Sequence, residues 1–194
     1  MHYPLNLSFK IIAVAPQLSL TDNNGQLLFY VKQKLFKLKE AITVFADQAQ
    51  TEPVFQINAD RVIDWSARYT FTDRSGMQLG AVKRQGMKSL WRARYDVLDQ
   101  EHPVFTITEE NPFAKVLDSL LGEVPVVGLI SGYLFHPSYQ VARSDGTAVM
   151  RLRKQPAFLE GRFTIEQLAP LNEREEQQAL LSLLMLVLLE RGRG

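Results

Sequence analysis

The chain has 194 residues, 22 Lys plus Arg against 21 Asp plus Glu, a formal net charge of +1 and 46% hydrophobic residues. That length carries one domain with a full hydrophobic core, or at most two small ones, the composition argues against disorder, and the balanced charge argues against a strong global field for nucleic acid or an acidic membrane. Cysteine is absent, which removes disulfide scaffolds, thiolate zinc sites and cysteine nucleophiles.

The first twenty residues, MHYPLNLSFKIIAVAPQLSL, contain Ala13-Val14-Ala15, which mimics a signal-peptidase site. No basic n-region precedes it and Lys10 interrupts a short apolar run, so the stretch reads as ordinary fold. A cytoplasmic location follows by default, with peripheral contact at a membrane as a further expectation.

From Leu18 onward a repeat emerges. LSLTDNNGQLLFYVKQ from Leu18, YTFTDRSGMQLGAVKR from Tyr69 and YQVARSDGTAVMRLRK from Tyr139 align on Gly25, Gly76 and Gly146. Apolar residues stand seven and five before each glycine, as Leu18 and Leu20, Tyr69 and Phe71, Tyr139 and Val141. Others stand three and six after it, as Leu28 and Val31, Leu79 and Val82, Val149 and Leu152. A base follows at seven, as Lys32, Lys83 and Arg153. Alternation on both sides of a short polar stretch is a β-hairpin pattern, and the glycine supplies positive φ for a tight turn with a bulge.

Further strands lie between the copies. Ala41 to Phe45 leads into Pro53-Val54-Phe55-Gln56-Ile57, and Arg94 to Leu98 leads into Pro103-Val104-Phe105-Thr106-Ile107. The third copy continues to Gly161-Arg162-Phe163-Thr164-Ile165 and then lacks a proline-led echo. Asn111 to Gly122 has apolar residues at helical spacing, which predicts a short amphipathic helix over about 112–122.

Two segments raise the question of a membrane. Val116 to Phe135 includes VPVVGLISGYLF, but it holds Asp118 and Glu123, each costing about 2–3.5 kcal/mol near a bilayer centre. A buried strand or loop is the simpler reading, with membrane contact still open. The C-terminal run Ala179 to Leu189 is apolar except for Ser182 and spans about 16 Å as a helix, where a hydrocarbon core needs about 30 Å. Asn172 with Glu175 forms a capping-box pattern, Glu173 and Glu176 add charge at the same end, and Arg191-Gly192 marks a stop. A short helix that is apolar on every face must be buried on every face.

Related multi-strand units and a buried helix predict a mainly β fold. The expected form is a single domain over 1–194, a closed antiparallel β-barrel around a hydrophobic C-terminal helix of about 173–190, because closure removes sheet edges. The residues that carry this pattern resemble a known family. Val31 to Glu40, with Thr43-Val44-Phe45 and Pro53-Val54-Phe55-Gln56-Ile57 after it, is similar to the LURP-one-related family. So is Ala81-Val82-Lys83-Arg84-Gln85 with Pro103-Val104-Phe105 downstream. That family belongs with the tubby C-terminal domain and the phospholipid scramblases. The resemblance implies a barrel of about twelve strands around a C-terminal helix, and it implies binding at lipid surfaces rather than a defined reaction. Neither the tubby phosphoinositide motif nor a scramblase calcium segment matches residue by residue.

Catalytic constellations are scarce. His2, His102 and His136 lie far apart with no metal-ligand spacing. Ser131 misses the nucleophile-elbow spacing by one position, and Asp22-Asn23-Asn24-Gly25 lacks the other ligands of a calcium loop. No catalytic residue, metal site or cofactor is expected. Charge is locally polarised instead. Lys32, Lys34, Lys37 and Lys39 form one acid-free cluster, Lys83, Arg84 and Lys88 with Arg92 and Arg94 a second, and Arg151, Arg153 and Lys154 a third. Should the equivalent strands share a side of the barrel, these cations would converge on an anionic ligand, with Trp91 and Phe36 inserting at the interface. The plain alternative is a solvated outer face. The expected function is therefore a non-enzymatic module for anionic phospholipid headgroups, or alternatively a soluble scaffold for a protein partner. No nucleic-acid signal is present.

Overall fold

The computed structural model describes residues 1–10, 17–32, 41–60, 67–85, 94–110, 137–156 and 160–191. Twelve strands run through these residues: β1 Leu5–Lys10, β2 Gln17–Thr21, β3 Leu27–Lys32, β4 Ile42–Phe45, β5 Pro53–Ala59 and β6 Arg68–Asp73, then β7 Gln78–Arg84, β8 Arg94–Asp99, β9 His102–Glu109, β10 Ser138–Arg143, β11 Ala148–Gln155 and β12 Glu160–Gln167. One helix, α1, spans Glu173–Arg191. Each strand pairs antiparallel with its sequence neighbours, and β1 pairs with β12, so the sheet closes into a barrel.

The period-two pattern sets inside and outside. On β1, Leu5, Leu7 and Phe9 are buried while Asn6 and Lys10 are exposed. The same parity buries Leu18 and Leu20 on β2, Ile42 and Val44 on β4, Tyr95 and Val97 on β8 and Phe105 and Ile107 on β9. These side chains and the helix form one hydrophobic cluster. Ala179 to Val187 are each at most 1% exposed, so α1 is enclosed around its whole circumference. The helix expected over about 173–190 thus occupies its expected place, inside the strands rather than in lipid. The helix expected near 112–122 and the apolar stretch 124–135 lie outside the described residues, and among those residues no helix is long and apolar enough to cross a membrane.

Three hairpins, β2–β3, β6–β7 and β10–β11, share one register. Leu18 faces Val31, Tyr69 faces Val82 and Tyr139 faces Leu152. Each ladder slips by one residue at the same place, between Leu20 and Thr21, Phe71 and Thr72, and Val141 and Ala142. Each turn closes by a glycine amide donating to the carbonyl three residues back at 3.0 Å, and the glycines have φ of +80°, +84° and +88°. A side chain there would cost about 1–2 kcal/mol of left-handed strain. Asp22 and Asp73 each accept two backbone N–H groups of their own turn, so the Asp22 carboxylate serves the hairpin rather than calcium.

The missing echo of the third unit comes from the other end of the chain. Pro4-Leu5-Asn6-Leu7 leads β1, whose Leu7 faces Leu20 as Ile57 faces Phe71 and Ile107 faces Val141. The N-terminus is the twelfth stave of the barrel, which accounts for its alternation.

The helix is fixed to the barrel at its N-terminal end. The Glu175 amide donates to Asn172 Oδ1 at 2.9 Å and the Asn172 amide donates to Glu175 Oε2 at 3.0 Å, the reciprocal capping box. Glu175 also meets Arg143 at 3.1 Å, Arg174 meets Asp99 at 2.8 Å, and the Tyr3 hydroxyl donates to Glu176 at 2.8 Å. Gln178, 1% exposed, donates to the Leu79 carbonyl at 2.7 Å, and the Ser182 hydroxyl donates to the Gln178 carbonyl at 2.7 Å, so these two buried polar groups of the helix are satisfied. This close approach requires Gly80, where a Cβ would sit 2.6 Å from the Leu98 carbonyl oxygen and 3.1 Å from Gln178 Nε2.

The Arg174 guanidinium holds the Asp99 carboxyl below its usual range. Burial pushes Glu175 up, but Arg143 and the Asn172 N–H outweigh it and the net shift is downward. Lowered carboxyl pKa values stabilise the fold above pH about 4, and that contribution disappears as pH falls through the folded-state values. Both pairs are partly solvated, so each is worth about 1 kcal/mol. Thermal melts from neutral pH downward are expected to show the Asp99→Asn, Glu175→Gln double variant less stable at neutral pH, with the gap closing as the pH falls through the lowered folded-state carboxyl values. Parallel curves would show that neither pair is coupled to folding.

Candidate anion-binding cations on the barrel wall

Strand parity decides what each basic residue can do. Lys32, Lys83 and Arg153 occupy the same register position on β3, β7 and β11, facing Gln17, Arg68 and Ser138. All three are exposed. In the closed order β3, β7 and β11 stand four strands apart, about 19 Å along the wall at ~4.8 Å per strand. The cations therefore do not share a side of the barrel; they share a height. That height lies toward the end away from the hairpin turns, where β3, β7 and β11 finish.

Local partners differ among the three. Lys83 stands across from Asp96, whose carboxylate already accepts the Gln85 side-chain amide at 2.8 and 2.9 Å. Arg153 reaches Glu166 only at 3.7 Å, with the two side chains 48% and 35% exposed. An exposed pair of that length contributes well under 1 kcal/mol and readily exchanges for another anion. Its neighbour Arg151 is engaged more closely, 3.0 Å from Glu110.

Arg84 and Lys154 have the opposite parity. Arg84 follows Val82 by two residues and turns inward with it, 7% exposed, its guanidinium 5.8 Å from the Tyr95 ring centroid. Lys154 shares the inward parity of Leu152, faces Phe163 on β12 and is half-buried. Counting from the apolar residue of each hairpin would have separated these two from the outward cations; the cluster on the sequence hid the distinction. Lys34, Lys37, Lys39 and Lys88, with Phe36 and Trp91, lie outside the described residues. Two outward cations were missed because each stands alone in sequence: Lys10 on β1 and Arg162 on β12 are both exposed. Among the described residues no three His, Asp or Glu side chains gather as a metal site would need.

With twelve closed strands, an enclosed C-terminal helix and the hairpin units in place, the comparison with known proteins is direct. A family model described as LURP-one-related matches residues 27–176. This chain belongs to the LURP-one-related family. The match begins at β3 and ends in the first turn of α1. A crystal structure of a protein from Arabidopsis thaliana is similar in fold, with a TM-score of 0.51 and 18% identity, covering 98% of this chain and 93% of that one. No curated protein sequence matches. The family fold is that of a tubby-like barrel domain.

The contrast between Lys83 and Arg84 gives a test. Lys83→Ala is expected to leave stability within about 0.5 kcal/mol, as exposed substitutions do. Arg84→Ala is expected to cost about 1–3 kcal/mol, by loss of the contact with Tyr95 and of buried stem packing. Denaturant midpoints measure both, and equal midpoints would contradict the inward placement.

Proposed function

We propose that this LURP-one-related barrel is a non-enzymatic binding module that meets anionic phospholipid headgroups end-on at a membrane surface. The observation that carries the reading is the common height of Lys32, Lys83 and Arg153 around one end of the barrel. Cations spread around a wall cannot all touch a plane laid against that wall. Cations at one height near an end can all approach a plane laid across that end. Lys34, Lys37 and Lys39 follow Lys32 in sequence, and Lys88 follows Lys83. A cation near an anionic membrane contributes about 1 kcal/mol, so three contribute about 3 kcal/mol, roughly a hundredfold in partitioning at low salt.

Arg84 takes no direct part in this reading because its side chain is buried, and Lys154 contributes little because it faces inward. The test is sedimentation with phosphatidylserine vesicles against phosphatidylcholine vesicles. Salt-sensitive binding to the anionic vesicles is expected, weakened at least tenfold in a Lys32→Glu, Lys83→Glu, Arg153→Glu variant that still melts normally. Absence of binding at low salt would remove the proposal and leave a protein-binding scaffold as the better reading.

A further inference from the structure

The seams of a closed barrel need not be equally strong, and the three hairpin units allow a matched comparison. In each unit the second hairpin strand pairs with the strand that follows it. β11 and β12 pair at six positions, from Met150 with Gln167 to Gln155 with Arg162. β7 and β8 pair at four, from Ala81 with Leu98 to Arg84 with Tyr95. β3 and β4 pair at one, Tyr30 with Phe45. That pair is the register equivalent of Ala81 with Leu98, because Phe45 faces Pro53 as Leu98 faces Pro103, with a bulge at the same place in both ladders. Beyond it the second unit continues through Val82 with Val97 and Lys83 with Asp96. Among the described residues Val31 and Lys32 make no such pairs with Val44 and Thr43.

Two differences between the units weaken this seam. Lys83 stands opposite Asp96, an attractive cross-strand pair, whereas the position before Val44 on β4 is held by Thr43, so Lys32 has no acid across the seam. Gly80 lets Gln178 of α1 reach the Leu79 carbonyl, which ties β7 to the helix. The position of Gly80, facing Phe71, is held on β3 by Phe29, facing Leu20. Phe29 packs edge-on against Phe55 of β5 with ring centroids 5.4 Å apart, so β3 is held past β4 by a ring contact. Val31, Ile42 and Val44 are still at most 1% exposed. Side-chain packing therefore closes the seam where the other units add a backbone ladder, and fewer hydrogen bonds oppose a local opening there.

We propose that the barrel opens reversibly along the β3–β4 seam, hinged at Tyr30 and Phe45, while the other seams stay closed. Opening uncovers Val31 and Val44 and bares a strand edge on each side, surfaces that the closed barrel lacks. It depends on strand pairing alone and occurs whether or not the basic end meets a membrane.

The chain has no cysteine, so an introduced thiol in the full chain is the only one. Val44→Cys and Val97→Cys place that thiol at equivalent inward positions, both 0% exposed in the closed barrel. Reaction with N-ethylmaleimide under native conditions is followed by mass spectrometry, alongside the global unfolding rate of each variant. Val44→Cys is expected to react about a hundredfold faster than Val97→Cys, at a rate above that of global unfolding and little changed by low urea. Adding Thr43→Asp, which supplies an acid opposite Lys32, is expected to slow the reaction about threefold, and Lys32→Ala to cancel that slowing. Equal reaction of the two thiols overturns the proposal. So does reaction of Val44→Cys that proceeds only at the rate of global unfolding.

Discussion

A barrel of twelve strands is too wide to be filled by its own side chains, and this one constraint organises the whole molecule. Eight strands leave an interior that inward residues can close; four more leave room for a cylinder of about 10–12 Å, the width of a helix with its side chains. The C-terminal helix is that cylinder. It is apolar on every face because every face meets inward strand residues, and each fully buried leucine contributes about 1.5–3 kcal/mol. Remove the helix and the inward faces of all twelve strands line an empty cavity.

Polar contacts then fix depth and orientation rather than supply the bulk of stability. The capping box, the Arg174–Asp99 and Arg143–Glu175 pairs and the Gln178 bond to the Leu79 carbonyl all act on the first two turns. They hold α1 against the end of the barrel where the hairpins turn, and Gly80 makes the closest approach possible. The outer wall is thereby freed from any role in the core. Its basic position, filled by Lys32, Lys83 and Arg153, recurs in all three hairpins because they share one register.

The hairpins and the helix were legible because their signals are local. A glycine with alternating apolar residues on both sides specifies a turn and a register within sixteen residues, and Asn172 with Glu175 specifies a helix start within four. The role of the N-terminus was not legible in the same way. Its pairing of Leu5 with Ile165 spans nearly the whole chain, so no local pattern specifies it. Among the cations, clustering in sequence misled where parity would have served: adjacent Lys83 and Arg84 point to opposite sides of the wall.

The dependence of the barrel on its helix is open to one direct measurement. Deleting residues 177–194 and assaying soluble yield and the strand signal in circular dichroism separates a core element from an appendage. The account predicts insoluble protein with no cooperative melt, because the inward faces of the strands lose their partner. A soluble truncated chain that keeps its β signal and melts cooperatively would contradict it.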